Sequence, residues 1–300
     1  MNTINKYVWL VETIYKARRI TFDEINEKWL AEEDMSRGVE LSLRTFHKWR
    51  IAAEEIFGLC IECERKGGYH YYIGNTQELS NGSFRSWLFN NIAVSNLLLS
   101  NRQLKDRILL ETIPAGREHL PVILEAMRKG ITLYITYRSF WRDENNSFDV
   151  EPYCIKLFKQ RWYMVARSPY YDKVMIYALD RIEELSPLPD KPFAIPDDFS
   201  PKAYFEDSYG IITGDGTQVQ TVRLKVRSEQ ARYLRSLPLH SSQREIQSDE
   251  EFTIFELRLR PTFDFVQEIL LHTPDIEVLE PQELREEVAR KLTEGAKLYK

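Results

Sequence analysis

Ser42-Leu43-Arg44-Thr45-Phe46-His47-Lys48-Trp49-Arg50 is the stretch on which the reading of the fold turns. Wound at about 3.6 residues per turn, it puts Leu43, Phe46 and Trp49 broadly on one side, with Ala53 and Phe57 continuing the stripe. Arg44 and Lys48 share the opposite side, flanked by Thr45 and His47. Gly58 offers a stop, because helices commonly end in a left-handed residue that glycine adopts without strain. An ordinary amphipathic helix with a solvated cationic face fits the same pattern, so the neighbouring segments decide.

Upstream, Val8, Val11, Ile14 and Tyr15 recur at helical spacing and predict a first helix with a buried stripe. A second helix is expected from Thr21-Phe22-Asp23-Glu24, where Thr21 caps the first amides and Glu24 reaches back. Phe22, Ile25 and Trp29 would face the core. Downstream, Leu59–Cys63 and Tyr69–Ile73 are short β-rich runs joined by Glu64-Arg65-Lys66-Gly67-Gly68, a hairpin signal. Three helices followed by a hairpin is the order of a winged helix-turn-helix. On that reading Arg44, Thr45, His47 and Lys48 reach bases and phosphates of duplex DNA from the first two turns of the third helix. Arg50, nearer the buried edge, is a weaker candidate, for a phosphate. Arg65 and Lys66, at the hairpin tip, would meet the neighbouring groove as a wing.

The chain has 300 residues, 43% hydrophobic and 29% charged, which argues for a soluble, multidomain globular protein. No apolar run reaches the ~18–20 residues of a membrane span, and the N-terminus lacks the apolar region of a signal peptide. Three cysteines make no disulfide framework, so a cytoplasmic protein is expected. A net charge of −5 excludes a protein that coats nucleic acid with its whole surface; any DNA contact must come from a local patch.

The chain reads as a multidomain α+β protein. Residues 1–75 form the winged helix-turn-helix. Residues 76–130 are a helical linker or dimerisation region, with helices around Phe84–Leu98 and Pro121–Met127. From Ile131 the period changes to two, and five or six short strands within 131–186 predict a small β-barrel. A Pro-rich linker covers 187–218, with Gly214-Asp215-Gly216 as a lone turn. Residues 219–300 alternate strand and helix in the β-α-β-β-α-β order of a ferredoxin-like domain.

Within the expected barrel, alternation along Gln160–Arg167 puts Arg161, Tyr163, Val165 and Arg167 on one face. Two arginines beside a tyrosine suit a phosphate-bearing or single-stranded ligand, although a strand with core aromatics and solvated arginines reads the same way. Cys60-Ile61-Glu62-Cys63 is poorly placed for metal or disulfide, since residues three apart in a strand face opposite ways. The five histidines have no paired spacing, and phosphate-loop and nucleophile-elbow motifs are absent from the sequence. No catalysis, metal or cofactor is expected.

The segment Ile131–Leu185 resembles a WYL domain, the family named for a Trp-Tyr-Leu triplet, here Trp162-Tyr163-Met164. Matching surroundings are Ile135-Thr136-Tyr137-Arg138, Glu151-Pro152-Tyr153 and Tyr177-Ala178-Leu179-Asp180-Arg181-Ile182. The layout is similar to that of bacterial transcriptional regulators with a winged helix, a WYL domain and a C-terminal WCX extension. The resemblance implies an Sm-like, SH3-type barrel that binds a regulatory ligand, nucleotide or nucleic acid, with ligand-facing positions at Tyr137, Arg138, Lys156, Arg167 and Arg181 near Trp162 and Tyr163. The loop Leu157-Phe158-Lys159-Gln160 lacks the glycine often found there. A homodimer is implied as well. The expected function is ligand-modulated binding of operator DNA. The rival is a single-stranded nucleic-acid sensor or adaptor without promoter specificity, for example in phage defence.

Overall fold

The computed structural model describes residues 3–79, 83–100, 107, 116–140, 145–213 and 216–299; Gly214-Asp215 and part of the expected linker 76–130 lie outside them. The chain divides into two compact units, residues 1–111 and 112–300.

In the first unit, α1 (Thr3–Ala17) buries Val8, Val11 and Ile14, as its spacing predicts, together with Trp9 and Leu10. Tyr15 lies at the edge of that stripe and is exposed. Helix α2 (Phe22–Ala31) opens on the predicted reciprocal cap: Thr21 Oγ1 accepts from the Glu24 amide at 3.3 Å, and Glu24 Oε2 accepts from the Thr21 amide at 2.8 Å. A one-turn helix not read from the sequence, α3 (Glu33–Ser36), follows. Then comes α4 (Leu43–Phe57), capped by Ser42, whose Oγ accepts from the Thr45 amide, and closed by Gly58 at φ 68°. Phe46, Trp49, Ala53 and Phe57 are buried, whereas Leu43, in the first turn, overhangs the core and is exposed.

Strands β1 (Ile61–Glu64) and β2 (His70–Ile73) pair antiparallel with Ile61 opposite Ile73. Asn75 pins the hairpin base to the end of α4, accepting from the Cys60 amide at 2.7 Å and donating to the Gly58 carbonyl at 2.9 Å. Helix α5 (Phe84–Ser100) adds Phe89 to the core. At the centre, Trp29 meets Trp9 and Trp49 edge-to-face, with centroids 5.1 and 5.0 Å away.

The second unit opens with α6 (Leu120–Lys129), which the sequence reading assigns to the linker. Its buried residues Ile123 and Ala126 instead enter the core of the following sheet. That sheet comprises β3 (Ile131–Tyr137), β4 (Asn146–Phe158), β5 (Arg161–Ser168), β6 (Lys173–Ala178) and β7 (Ile182–Pro192), in the antiparallel order β6-β5-β4-β3-β7. A register shift at Tyr153 bends β4, so its first half pairs with β3 and its second with β5. A 3-10 turn, Leu179–Arg181, joins β6 to β7, and no ladder pairs them among the described residues. The structure therefore has an open row of strands where the sequence predicts a barrel.

The expected border at residue 187 also moves, because Pro187, Leu188 and Pro192 still pair with β3. Proline is tolerated there because β7 is an edge strand and needs no outward amide. The β4–β5 turn is two residues long, with Lys159 and Gln160 at φ 44° and 62°, the positive-φ pair of a type I′ hairpin.

After α7 (Pro201–Phe205), residues 220–297 follow the predicted alternation: β8 (Gln220–Arg227), α8 (Ser228–Ser236), β9 (Arg244–Ser248), β10 (Phe252–Leu259), α9 (Phe263–Leu271), β11 (Ile276–Glu280) and α10 (Gln282–Lys297). Their sheet is antiparallel, in the order β11-β8-β10-β9. Its core joins Val222 and Leu224 of β8, Phe255 and Leu257 of β10, Phe265 and Ile269 of α9, and Leu284 of α10. Full burial of each such side chain contributes about 1.5–3 kcal/mol.

Candidate nucleic-acid interface and ligand face

The outward side of α4 follows directly from its inward one. With Phe46, Trp49 and Ala53 buried, Arg44 and Lys48 project from the opposite side, exposed and one turn apart. Neither has an ion-pair partner among the described residues. Thr45 is half-buried, its hydroxyl 2.8 Å from Ser42 Oγ at the cap. His47 is half-buried with its ring 5.3 Å from that of Phe46. Arg50 does not join this face. It is half-buried, its Nε sits 4.0 Å from Glu54 and has no hydrogen-bond partner, and Glu54 itself accepts from the Ile61 amide. Arg65 and Lys66 are exposed in the turn between β1 and β2, held there by Gly67 and Gly68 at φ 94° and 119°. They carry no ion pair among the described residues. A bridge between Ile20 and Tyr71 ties β2 to the start of α2. A cationic, unpaired, rigidly mounted face of this kind can neutralise phosphates.

The face predicted along β5 behaves differently. Arg167 donates to both oxygens of Glu151 at 3.0–3.1 Å and to Asp172 at 2.7 and 3.1 Å. Its fork is filled by the protein's own carboxylates, and the guanidinium is held even more firmly protonated. Tyr163 is only 9% exposed and Trp162 packs against the sheet core, so neither stands ready to stack on a ligand. Lys156, opposite Tyr163 across the ladder, donates to the Gly210 carbonyl at 2.6 Å, and its ammonium lies 3.6 Å from the centre of the Phe205 ring. Arg161 sits 3.3 Å from Asp180.

Tyr137, Arg138 and Arg181 do come together. The Tyr137 hydroxyl accepts from the Ala178 amide at 3.1 Å. The Arg138 amide donates to the Arg181 carbonyl, and Arg181 Nε donates to the Arg138 carbonyl, each at 2.9 Å. The Arg181 guanidinium lies 4.8 Å from the centre of the Tyr137 ring and 4.1 Å from that of Phe140. The Arg138 side chain is exposed and unpaired among the described residues. An arginine close to two aromatic rings, beside a free one, suits an anion attached to something flat.

Phe140 and Asp180 are the residues the sequence reading missed. Asp180 could have been found as the carboxylate beside Arg181, and Phe140 as an aromatic two positions past Arg138. One Asp180 oxygen is buried without a hydrogen-bond partner. The three cysteines are free thiols, and the described residues hold no cluster of three or more His, Cys, Asp or Glu placed for a metal ion. No helix among them is long and apolar enough to cross a membrane.

Models of protein families match the chain twice: a WYL domain at residues 118–187 and a WCX domain at residues 218–296. The first begins upstream of the expected border and includes α6. No curated protein matches the chain. Among solved structures it is similar to proteasome accessory factor B/C (PafBC) of Arthrobacter aurescens, at 17% identity and a TM-score of 0.37, over 97% of this chain and 47% of that one. It is also similar to a CRISPR Cas-related protein, at 15% identity and a TM-score of 0.37, over 86% of this chain and 74% of that one. The chain thus spans about half the length of the PafBC chain.

Proposed function

From a chain in which a WYL domain is followed by a WCX domain, we propose a DNA-binding transcriptional regulator whose WYL domain senses a ligand. In this reading the helices and hairpin of the first unit are a winged helix-turn-helix. The bent five-stranded row is the opened sheet of an Sm-like, SH3-type barrel, and the order β11-β8-β10-β9 is that of a ferredoxin-like domain. Arg44 and Lys48 enter the major groove, Arg65 and Lys66 follow the backbone as a wing, and a homodimer reads two half-sites. The ligand is an anion-bearing nucleotide or single strand that engages Arg138, Arg181 and Lys156. It alters DNA affinity by binding two conformations unequally. No enzymatic step is assigned.

The observation that carries the reading is the unpaired Arg44–Lys48 pair on a capped, well-packed helix. Binding of the purified protein to duplex from its own promoter region tests it. The Arg44→Ala, Lys48→Ala double variant should bind weakly and with a flatter salt dependence. Wild-type binding by that variant would remove the assignment.

A further inference from the structure

The face of β4 and β5 that carries Lys156 and Tyr163 points away from the sheet core, which takes Ile155 and Met164 from the alternate positions. That outward face is covered from within the chain. Phe199 packs edge-to-face on Tyr153 at 5.0 Å, Phe205 lies under the Lys156 ammonium, and Tyr209 meets Phe158 at 5.9 Å. Lys159, in the β4–β5 turn, donates to Glu268 of α9 at 2.7 Å.

These covering residues are themselves fastened to the C-terminal sheet and helices. Asp264 of α9 accepts from the Ile211 and Ile212 amides at 2.8 and 3.0 Å. Asp207 pairs with Arg258 at 2.8 Å, and Tyr209 meets Phe265. Gly210 passes so close to Asp264 that an added Cβ would lie 2.4 Å from its carboxylate. Residues 199–212 and the C-terminal sheet are therefore tied into one body by these contacts, and Lys156 and Lys159 bond it to the WYL sheet.

What this body offers Lys156 is an oxygen acceptor and an aromatic ring, the positions that the phosphate and the base of a nucleotide would fill. The substitute is incomplete, since a carbonyl carries no charge. Burial lowers the Lys156 ammonium to about 8, with Asp264 opposing that shift. A bound anion would restore what the carbonyl lacks.

We propose that Phe205 and Gly210 act as an internal stand-in for the ligand at Lys156, so that a phosphate-bearing aromatic ligand competes with the C-terminal body and releases it from the WYL sheet. This rests on the sensing role given above to the WYL domain, and it names how occupancy reaches the rest of the chain. A docked form that leaves about a tenth of molecules open weakens apparent ligand affinity about tenfold.

The test uses the full-length protein, fluorescein-labelled single-stranded oligothymidylate as probe, and hydrogen exchange of residues 199–212. Lys159→Glu should undock the body by setting a carboxylate against Glu268. Phe205→Ala should do so independently, with circular dichroism checking that each variant is folded. Expected are faster exchange at 199–212 in both variants, probe binding about tenfold tighter than wild type, and loss of that gain when Lys156→Met is added. In wild type, the probe itself should speed exchange at 199–212. If the probe binds wild type and Arg181→Ala abolishes binding, yet the undocked variants bind no tighter, the stand-in proposal falls and the sensing reading stands. If no form binds the probe, both fall.

Discussion

The outward face of α4 and the outward face of β5 carry similar residues and have opposite fates. On the helix, Arg44 and Lys48 stay unpaired among the described residues. On the sheet, Arg167, Arg161 and Lys156 are taken by Glu151 and Asp172, by Asp180, and by the Gly210 carbonyl. A helix meets its polar neighbours mostly three or four residues away, so the partners of a helical cation can be read locally. A strand meets its neighbours across the sheet and through whatever covers it, and those come from distant sequence. Charge on a strand face is therefore poor evidence of a free site until its cross-strand carboxylates are known.

The largest effect that could break this contrast is on DNA. Removing Arg44 and Lys48 together should weaken duplex binding on the order of tenfold to several hundredfold and lower the salt slope by roughly two. Thermal stability should barely change, because neither side chain is engaged. Fluorescence anisotropy across a salt series and a melting curve would check both halves.

Arg167→Ala is the mirror experiment. It should lower the unfolding midpoint, because Glu151, only 14% exposed at its side chain, loses its partner. Duplex affinity should stay at the wild-type value. A variant that melts normally and loses duplex binding would reverse the roles assigned to the two faces.

A smaller, pH-dependent effect follows from Lys156, which faces Cys154, Asp264 and His240. Burial lowers the folded-state ammonium to about 8, against an ordinary 10.5. Above pH 8 the unfolded chain therefore holds a proton that the folded chain has lost, and stability rises with pH. Between pH 8 and 9, the stability of wild type relative to Lys156→Met should climb in denaturant titrations. A flat difference would show that Lys156 is solvated as an ordinary lysine.

The smallest expected change is local. Gln160 sits at φ 62° in the β4–β5 turn, where a side chain costs roughly 1 kcal/mol relative to glycine. Gln160→Gly should stabilise the protein by about that amount or less, read as a modest rise in denaturation midpoint.

Much of the architecture was legible because its signals are local. The Thr21 cap, the Ser42 start and Gly58 stop of α4, the Gly67-Gly68 turn and the alternation of residues 220–297 each depend on neighbours within a few positions. The open row of strands was harder to see, because whether β6 pairs with β7 is a matter of long-range pairing that no local pattern reports. The length of β7 was hidden by prolines that read as a linker. Within the candidate sites, Arg44 and Lys48 were legible from helical geometry, and Arg138 with Arg181 only from family resemblance. Arg50, read as nearer the buried edge, is half-buried beside Glu54. The internal partners of Lys156 and Arg167, Gly210 and Asp172, leave no periodic trace in the sequence.

The prolines of β7 also matter beyond this fold. Pro187, Pro189 and Pro192 leave gaps in the row of amide donors along the rim of the WYL sheet. A polypeptide approaching from solution finds too few donors there to extend the ladder, and each ring blocks close approach. One of the two margins of the sheet thus carries its own safeguard against amyloid-like growth.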